Sequence, residues 1–79
     1  MTILHIEWLD SETRDGWQPL DEIKQALGLT HSTGFLIHES EQFILVAHSF
    51  DPDTESANGL ITIPKGAIKT RRTICRVKV

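Results

Sequence analysis

The polar segment from Asp10 to Gly16 carries side chains that could bind an anion. Ser11 and Arg14 are hydrogen-bond donors, and Trp17, directly after the segment, offers a flat surface on which a base could stack. The segment connects a predicted strand to a predicted helix, and the unpaired backbone N–H groups at a helix N-terminus favour anions. The sequence therefore predicts a ligand-binding role for Ser11, Arg14 and Trp17. The alternative is that Trp17 belongs to the core and that the segment only caps the helix.

The basic residues are concentrated in the last part of the sequence. Residues 1–59 contain all 11 carboxylates and only Arg14 and Lys24 as cations, which gives a charge of −9. Residues 60–79 contain the other six of the 8 Lys and Arg residues and no acid, which gives +6. One interpretation is a basic strand that receives a phosphate, a nucleotide or a nucleic acid, with Lys69, Arg71 and Arg72 as binding residues. The other is that this strand lies against the acidic remainder of its own fold or of a neighbouring copy.

The residue spacing predicts no enzyme, no metal site and no cofactor. The 4 histidines show no HxxxH or HxH spacing, and the single cysteine, Cys75, is distant from them in sequence. Asp51, Asp53 and Glu55 are spaced like the start of a calcium loop, but Ser56 stands where that loop needs glycine. Cys75 has no indicated base, and no serine has the glycine-elbow context of a nucleophile.

Two apolar runs, Phe35–Ile37 and Phe43–Ala47, flank a short polar segment and predict a β-hairpin. With a two-residue tip at Ser40-Glu41, Phe35 lies opposite Val46. Both faces of such a hairpin are apolar. It therefore needs cover on two sides, from other strands, a helix or another subunit.

The other elements are predicted from strand alternation, helix periodicity and turn residues, and all fit one domain over residues 1–79. Before the hairpin, we expect a strand from Thr2 to Leu9 and a helix from Trp17 to Gly28, with an apolar stripe of Leu20, Ile23 and Leu27. After the hairpin, we expect an acidic loop from Phe50 to Gly59, a strand from Leu60 to Ile63 and a 3₁₀ turn at Pro64–Ala67. Extended structure then runs from Ile68 to Val79, with a bulge near Ile74.

The segment Ile61–Thr70 resembles the place in SH3-like and Sm-like barrels where a short turn joins strands four and five. The resemblance and the order of elements imply a mainly-β fold of the α+β class. The expected architecture is a small five-stranded, strongly bent antiparallel sheet or an SH3-like barrel, with one helix after the first strand. In Sm-like proteins the helix precedes the first strand, so the chain departs from their pattern at this point.

The whole pattern also resembles a loose group of short phage and prophage proteins of unassigned role. The residues that carry this resemblance are Trp8-Leu9-Asp10-Ser11, Gly16-Trp17, Gly34-Phe35-Leu36-Ile37 and Ile63-Pro64-Lys65-Gly66-Ala67-Ile68. The resemblance implies an accessory phage protein that is expressed during infection, in the host cytoplasm. It implies no particular activity.

Chain length and composition bound the class of protein. A chain of 79 residues buries only about 60% of its unfolded surface, so we expect a homo-oligomer to supply additional stability. A lone cysteine favours a reducing compartment. The first residues lack a basic-apolar leader, and no apolar run approaches the roughly 20 residues of a membrane span. The sequence predicts a soluble cytoplasmic protein without membrane association.

Three functions are compatible with these features. The first is a non-catalytic phage-type protein that sequesters an anionic small molecule, such as a nucleotide immune signal, and so acts as an anti-defence sponge. The second is an inhibitor whose acidic face docks on a basic host enzyme. The third is an Sm-like nucleic-acid-binding module that uses the basic strand, but the overall acidity and the few aromatic residues near that strand argue against it.

Overall fold

The computed structural model describes residues 1–10, 17, 20–21 and 29–78. Its strands are β1 (Thr2–Trp8), β2 (Thr30–Glu39), β3 (Phe43–Asp51), β4 (Ser56–Pro64) and β5 (Ile68–Arg76), with a 3₁₀ turn at Lys65–Ala67 between the last two. They form one antiparallel sheet of 5 strands in the order β4-β3-β2-β1-β5. The mainly-β prediction is confirmed. Within the described residues, no helix has the length and apolar character needed to cross a membrane.

The core lies on one face of this sheet. In β1 the side chains of Leu4, Ile6 and Trp8 are buried, whereas His5 and Glu7 between them are only partly buried. Successive strand residues point to opposite faces of a sheet. Leu4, Ile6 and Trp8 therefore mark the buried inner face, and His5 and Glu7 mark the outer face. The rest of the buried cluster comes from β3 and β4 and consists of Ile44, Val46 and Ile63. Full burial of each such side chain contributes roughly 1.5–3 kcal/mol.

Strand β2 changes partners along its length. Residues from Thr30 to Phe35 pair with β1, and residues from Phe35 to Glu39 pair with β3. Gly34 lies at the change-over and is buried, and a Cβ atom there would stand 2.7 Å from the carbonyl oxygen of Ala47. Only glycine permits this close approach of the two strands.

The predicted hairpin exists, but its predicted register is wrong. The loop spans Ser40, Glu41 and Gln42, and Phe35 lies opposite Ala47 rather than Val46. The Ser40 hydroxyl accepts backbone N–H groups from Gln42 and Phe43 at 3.2 Å each, which stabilises the longer loop.

The hairpin contains a bulge in β2 and buries residues on both faces. The register shifts between Leu36 and His38, so Ile37 is the extra residue. Ile44 and Val46 fill the core, and Ala47, on the opposite face from Val46, is also buried at 1% exposure. The expectation that both hairpin faces require cover is therefore confirmed at these positions.

The predicted acidic loop from Phe50 to Gly59 is largely strand. Strand β3 continues to Asp51 and β4 begins at Ser56, with these two residues paired. Gly59, with φ of 69°, lies in β4 where a Cβ atom would stand 2.6 Å from the Cβ of His48. The polar composition suggested a loop because a solvent-exposed two-stranded ribbon has no buried face and hence no apolar alternation.

Two predictions near the end of the chain are confirmed. The 3₁₀ turn forms at Lys65–Ala67. In the pairing of β5 with β1, Ile3 lies opposite Cys75 but Leu4 lies opposite Thr73, which leaves Ile74 as a bulge.

Most of the predicted helix from Trp17 to Gly28 lies outside the described residues. Leu20 and Asp21 are helical, but Leu20 is 74% exposed and is not buried as predicted for its apolar stripe. Periodicity identifies residues that share a face of a helix and does not establish that the face is covered. The stripe's other members, Ile23 and Leu27, lie outside the described residues.

Candidate functional site

The predicted anion-binding segment between β1 and the helix is described only at its end. Ser11 and Arg14 lie outside the described residues. Trp17 is 102% exposed, so its ring is accessible to a ligand, and the alternative that it belongs to the core is wrong. Trp8 is the core tryptophan, as expected from its alternation with Leu4 and Ile6, and its indole N–H donates to the Ser32 hydroxyl at 3.0 Å.

The two adjacent arginines of β5 lie on opposite faces of the sheet. Arg71 is directly opposite the buried residue Ile6, whereas Arg72 is opposite His5 on the outer face. Directly paired residues of antiparallel strands share a face. Arg71 and Arg72 therefore face opposite sides of the terminal strand, and their grouping in one ligand site stays a prediction.

Arg71 forms a bidentate ion pair with Glu39, which is on the same inner face because it lies opposite Ile44. The Arg71 Nη1 and Nη2 atoms donate to the two carboxylate oxygens of Glu39 at 2.9 and 2.7 Å. The Lys65 ammonium group lies 2.8 Å from the same carboxylate. This ion-pair cluster of Glu39, Lys65 and Arg71 joins β2, the 3₁₀ turn and β5.

Ionisation of the ion-pair cluster follows from these contacts. Hydrogen bonds from Arg71 and then Lys65 lower the pKa of Glu39 from 4.5 to about 2. The hydrogen bond to the Glu39 carboxylate raises the pKa of Arg71. Because both Nη atoms of Arg71 donate to Glu39, this arginine has fewer donors available for a further anion than an unpaired arginine has.

Exposed cations remain on β5 after Arg71 is set aside. Lys69, Arg72 and Arg76 are exposed along the strand, and we call them the basic edge. Within the described part of the chain, the ion pairs all involve Glu39 and none involves the basic edge. β5 is also a terminal strand of the described sheet. The basic edge is thus positioned to meet an anionic ligand or another chain.

The opposite terminal strand leads into an acidic structure. Residues 48–59 form a two-stranded ribbon that we call the acidic ribbon, with the carboxylates of Asp51, Asp53 and Glu55 at its tip. All residues from 51 to 60 are exposed, and the Asp51 carboxylate accepts the backbone N–H of Asp53 at 3.0 Å. The ribbon presents negative charge at a distance from the buried core.

The structure also brings together His5 and His31, which the sequence did not predict to be in contact. The Nε2 atom of His5 lies 3.1 Å from the Nδ1 atom of His31, and both residues are on the outer face. This pair was missed because β2 begins at Thr30, four residues before the predicted hairpin strand at Gly34. An earlier strand start would have placed His31 opposite Glu7 and diagonal to His5.

Nothing in these contacts corresponds to an assembled catalytic or metal centre. Among the described residues, no group of three or more His, Cys, Asp or Glu side chains could hold a metal ion. Comparisons with protein-family models, curated proteins and solved structures give no match for this chain. Functional inference therefore rests on the geometry of its own surfaces.

Proposed function

We propose that this protein is a non-catalytic binding protein that captures an anionic small molecule. The observation that carries the proposal is the basic edge: Lys69 and Arg72 are exposed on a terminal strand, and neither forms an ion pair with a described carboxylate. A charge-assisted hydrogen bond to an anion contributes roughly 1.5–3 kcal/mol. Trp17 is also exposed, and its ring offers a stacking surface for the base of a nucleotide.

The ligand class that fits these groups is a nucleotide, which combines phosphate with an aromatic base. A nucleotide immune signal is the specific ligand we propose, captured stoichiometrically by an anti-defence protein in the host cytoplasm. The phage context rests on the resemblance of the short motifs, and the nucleotide class rests on the cationic and aromatic side chains.

The proposal includes a homo-oligomer in which ligand pockets form between copies. Both terminal strands of the described sheet carry exposed apolar side chains, Leu60 at 56% on β4 and Ile74 at 50% on β5. Heterologous contacts between two different edges build rings when the rotation closes. Pockets between subunits let a chain of this size enclose a ligand.

The proposal also includes strong bending of the sheet in the manner of an SH3-like barrel that stays open between β4 and β5, so that both strands are available for contacts between copies. Its support is the strand order, with β4 and β5 at the two ends and the 3₁₀ turn between them. The ion pair from Glu39 to Arg71 adds to this support, because it joins β2 and β5 although β1 separates them in the sheet.

Calorimetric titration with cyclic dinucleotides, ADP-ribose derivatives and short RNA tests the binding proposal. We expect one nucleotide class to bind the wild type, and Arg72→Ala or Lys69→Ala to weaken binding about tenfold or more. Lys78→Ala, which removes an exposed cation outside the basic edge, is the matched control and should bind like the wild type. Unchanged affinity in both basic-edge variants contradicts the proposal.

The acidic ribbon favours a second candidate function, inhibition of a basic host protein. Three exposed carboxylates on a projecting ribbon can dock on a positively charged surface, as the charge of a nucleic acid does. The combined variant Asp51→Asn, Asp53→Asn and Glu55→Gln should then lose a host protein that the wild type retains. This outcome, together with no binding of any nucleotide in the panel, would replace ligand capture by inhibition.

A further inference from the structure

The rings of His5 and His31 are stacked on each other as well as joined by a hydrogen bond. The two rings are nearly parallel, with an interplanar angle of 13° and centroids 5.2 Å apart. Their facing nitrogen atoms, Nε2 of His5 and Nδ1 of His31, are 3.1 Å apart and exposed to solvent. In the hydrogen-bonded state one nitrogen carries the shared proton and the other supplies its lone pair.

Replacement of that proton by a metal ion would use both lone pairs. We propose that His5 and His31 are two ligands of a binding site for a divalent transition-metal ion such as Zn²⁺. With Zn–N bonds of about 2.05 Å, nitrogen atoms 3.1 Å apart subtend about 100° at the metal, near the tetrahedral angle of about 109°. A rotation of the partly buried His5 ring and of the exposed His31 ring turns each lone pair from the other nitrogen toward the ion.

The surroundings of the pair allow the coordination sphere to be completed. Glu7 lies directly opposite His31 in the β1–β2 register, so its carboxylate is on the same outer face. The described residues hold no preassembled group of three ligands, so Glu7 joins by a change of rotamer and water takes the remaining position. Arg72 lies opposite His5 on β5, and its positive charge opposes the metal.

The metal site does not rest on the proposed anion capture, because its ligands His5 and His31 are not part of the basic edge; Arg72 lies beside His5 but is not a ligand. Imidazole is a ligand suited to zinc, nickel and copper, whereas calcium and magnesium prefer oxygen. Selectivity for the transition metals over Ca²⁺ is therefore part of the proposal.

Titration of the folded protein with ZnCl₂, followed by long-range ¹H–¹⁵N correlation of the imidazole nitrogens, tests the site directly. We expect saturable shifts at His5 Nε2 and His31 Nδ1. His38 and His48 are internal controls, because neither is hydrogen-bonded to another histidine in the described structure. Equal, non-saturating shifts at all 4 histidines would show that binding is non-specific and would overturn the proposal.

Variants separate a metal site from a pair that only stabilises the sheet. Loss of a partner in the outer shell of a metal site already weakens binding 10–100-fold, so we expect His5→Asn or His31→Asn to reduce the Zn²⁺ affinity measured by calorimetry at least tenfold. His48→Asn should leave the affinity unchanged, and Arg72→Gln should increase it. If His5→Asn and His31→Asn fold and bind Zn²⁺ like the wild type, the proposal is wrong; the same holds if CaCl₂ produces the ZnCl₂ shifts.

Discussion

Among the carboxylates of the described residues, Glu39 is one whose pKa is shifted by its contacts. Its pKa is lowered from 4.5 to about 2 by Arg71 and Lys65, so the folded state holds the carboxylate ionised in acid where the unfolded chain protonates it. A carboxylate with a lowered pKa in the folded state stabilises that state at pH values above its pKa in the unfolded chain. This stabilisation is lost as the pH falls through the pKa of the folded state. Thermal unfolding followed by circular dichroism should therefore show a melting temperature that falls between about pH 4.5 and pH 2.

The matched variant for this prediction is Glu39→Gln. It should melt lower than the wild type at neutral pH and lose less stability on acidification, because it has no carboxylate to protonate. Added salt should reduce the difference at neutral pH, since the pair is about one-third exposed and is screened. Parallel pH profiles for the two proteins would contradict this assignment of the acid-sensitive group.

Arg71 and Arg72 are adjacent in sequence, but only truncation of Arg71 should destabilise the fold. Arg71→Ala removes the bidentate partner of Glu39 and should lower the melting temperature. Arg72→Ala removes an outward-facing cation and should change the free energy of unfolding by less than about 0.5 kcal/mol, so the melting temperature should stay close to that of the wild type. A nucleotide that binds the wild type should lose affinity for Arg72→Ala, and equal thermal effects of the two variants would mean that the face assignment is wrong.

Among the strands, β2 can be tested at Gly34, where its pairing changes from β1 to β3. Gly34→Ala places a Cβ atom 2.7 Å from the Ala47 backbone oxygen, and backbone atoms move less readily than a side chain. Overpacking of this kind lowers the free energy of unfolding by roughly 1–3 kcal/mol, measurable by urea denaturation. Gly66→Ala is the control, because no atom lies within 4 Å of its added Cβ. Equal stability of the two variants would argue against the close approach at Gly34.

The elements that the sequence predicted well are those with strong local signals. Alternation at Leu4, Ile6 and Trp8 identified β1 and its buried face, and the turn residues after Pro64 identified the 3₁₀ turn. The change of parity near Ile74 identified the β5 bulge. Each of these signals depends on neighbours in sequence.

The elements that were misjudged depend on contacts between distant segments. The register of the hairpin is fixed by hydrogen bonds to Ser40 and by the bulge after Leu36, and apolar pattern alone does not determine either. The early start of β2 at Thr30 depends on pairing with Trp8. The candidate site was affected in the same way: composition located the basic strand, but only the register separates Arg71 from Arg72 and joins His5 to His31.

In the whole molecule, the acidic and basic parts of the sequence lie at opposite edges of the sheet. The acidic ribbon leads into β4, and Arg76 ends β5 at the other edge. If β4 of one copy pairs antiparallel with β5 of the next, the acidic start of β4 meets the basic end of β5. Parallel pairing would separate these charges, so electrostatics favours the antiparallel contact.

Leu60 provides the test of this assembly. It is 56% exposed on β4, where the proposed contact would bury it, so Leu60→Glu introduces a carboxylate into the interface and should dissociate the oligomer. Leu29→Glu is the matched control, since Leu29 is 43% exposed and lies outside both terminal strands. Light scattering at micromolar concentration should report an oligomer for the wild type and the control and a chain of 8.9 kDa for Leu60→Glu. High salt should weaken the wild-type oligomer, because the contact between the acidic ribbon and Arg76 is exposed to screening. A wild-type monomer under these conditions would contradict the proposed oligomer. An unchanged oligomer in Leu60→Glu would show that β4 is not part of the interface.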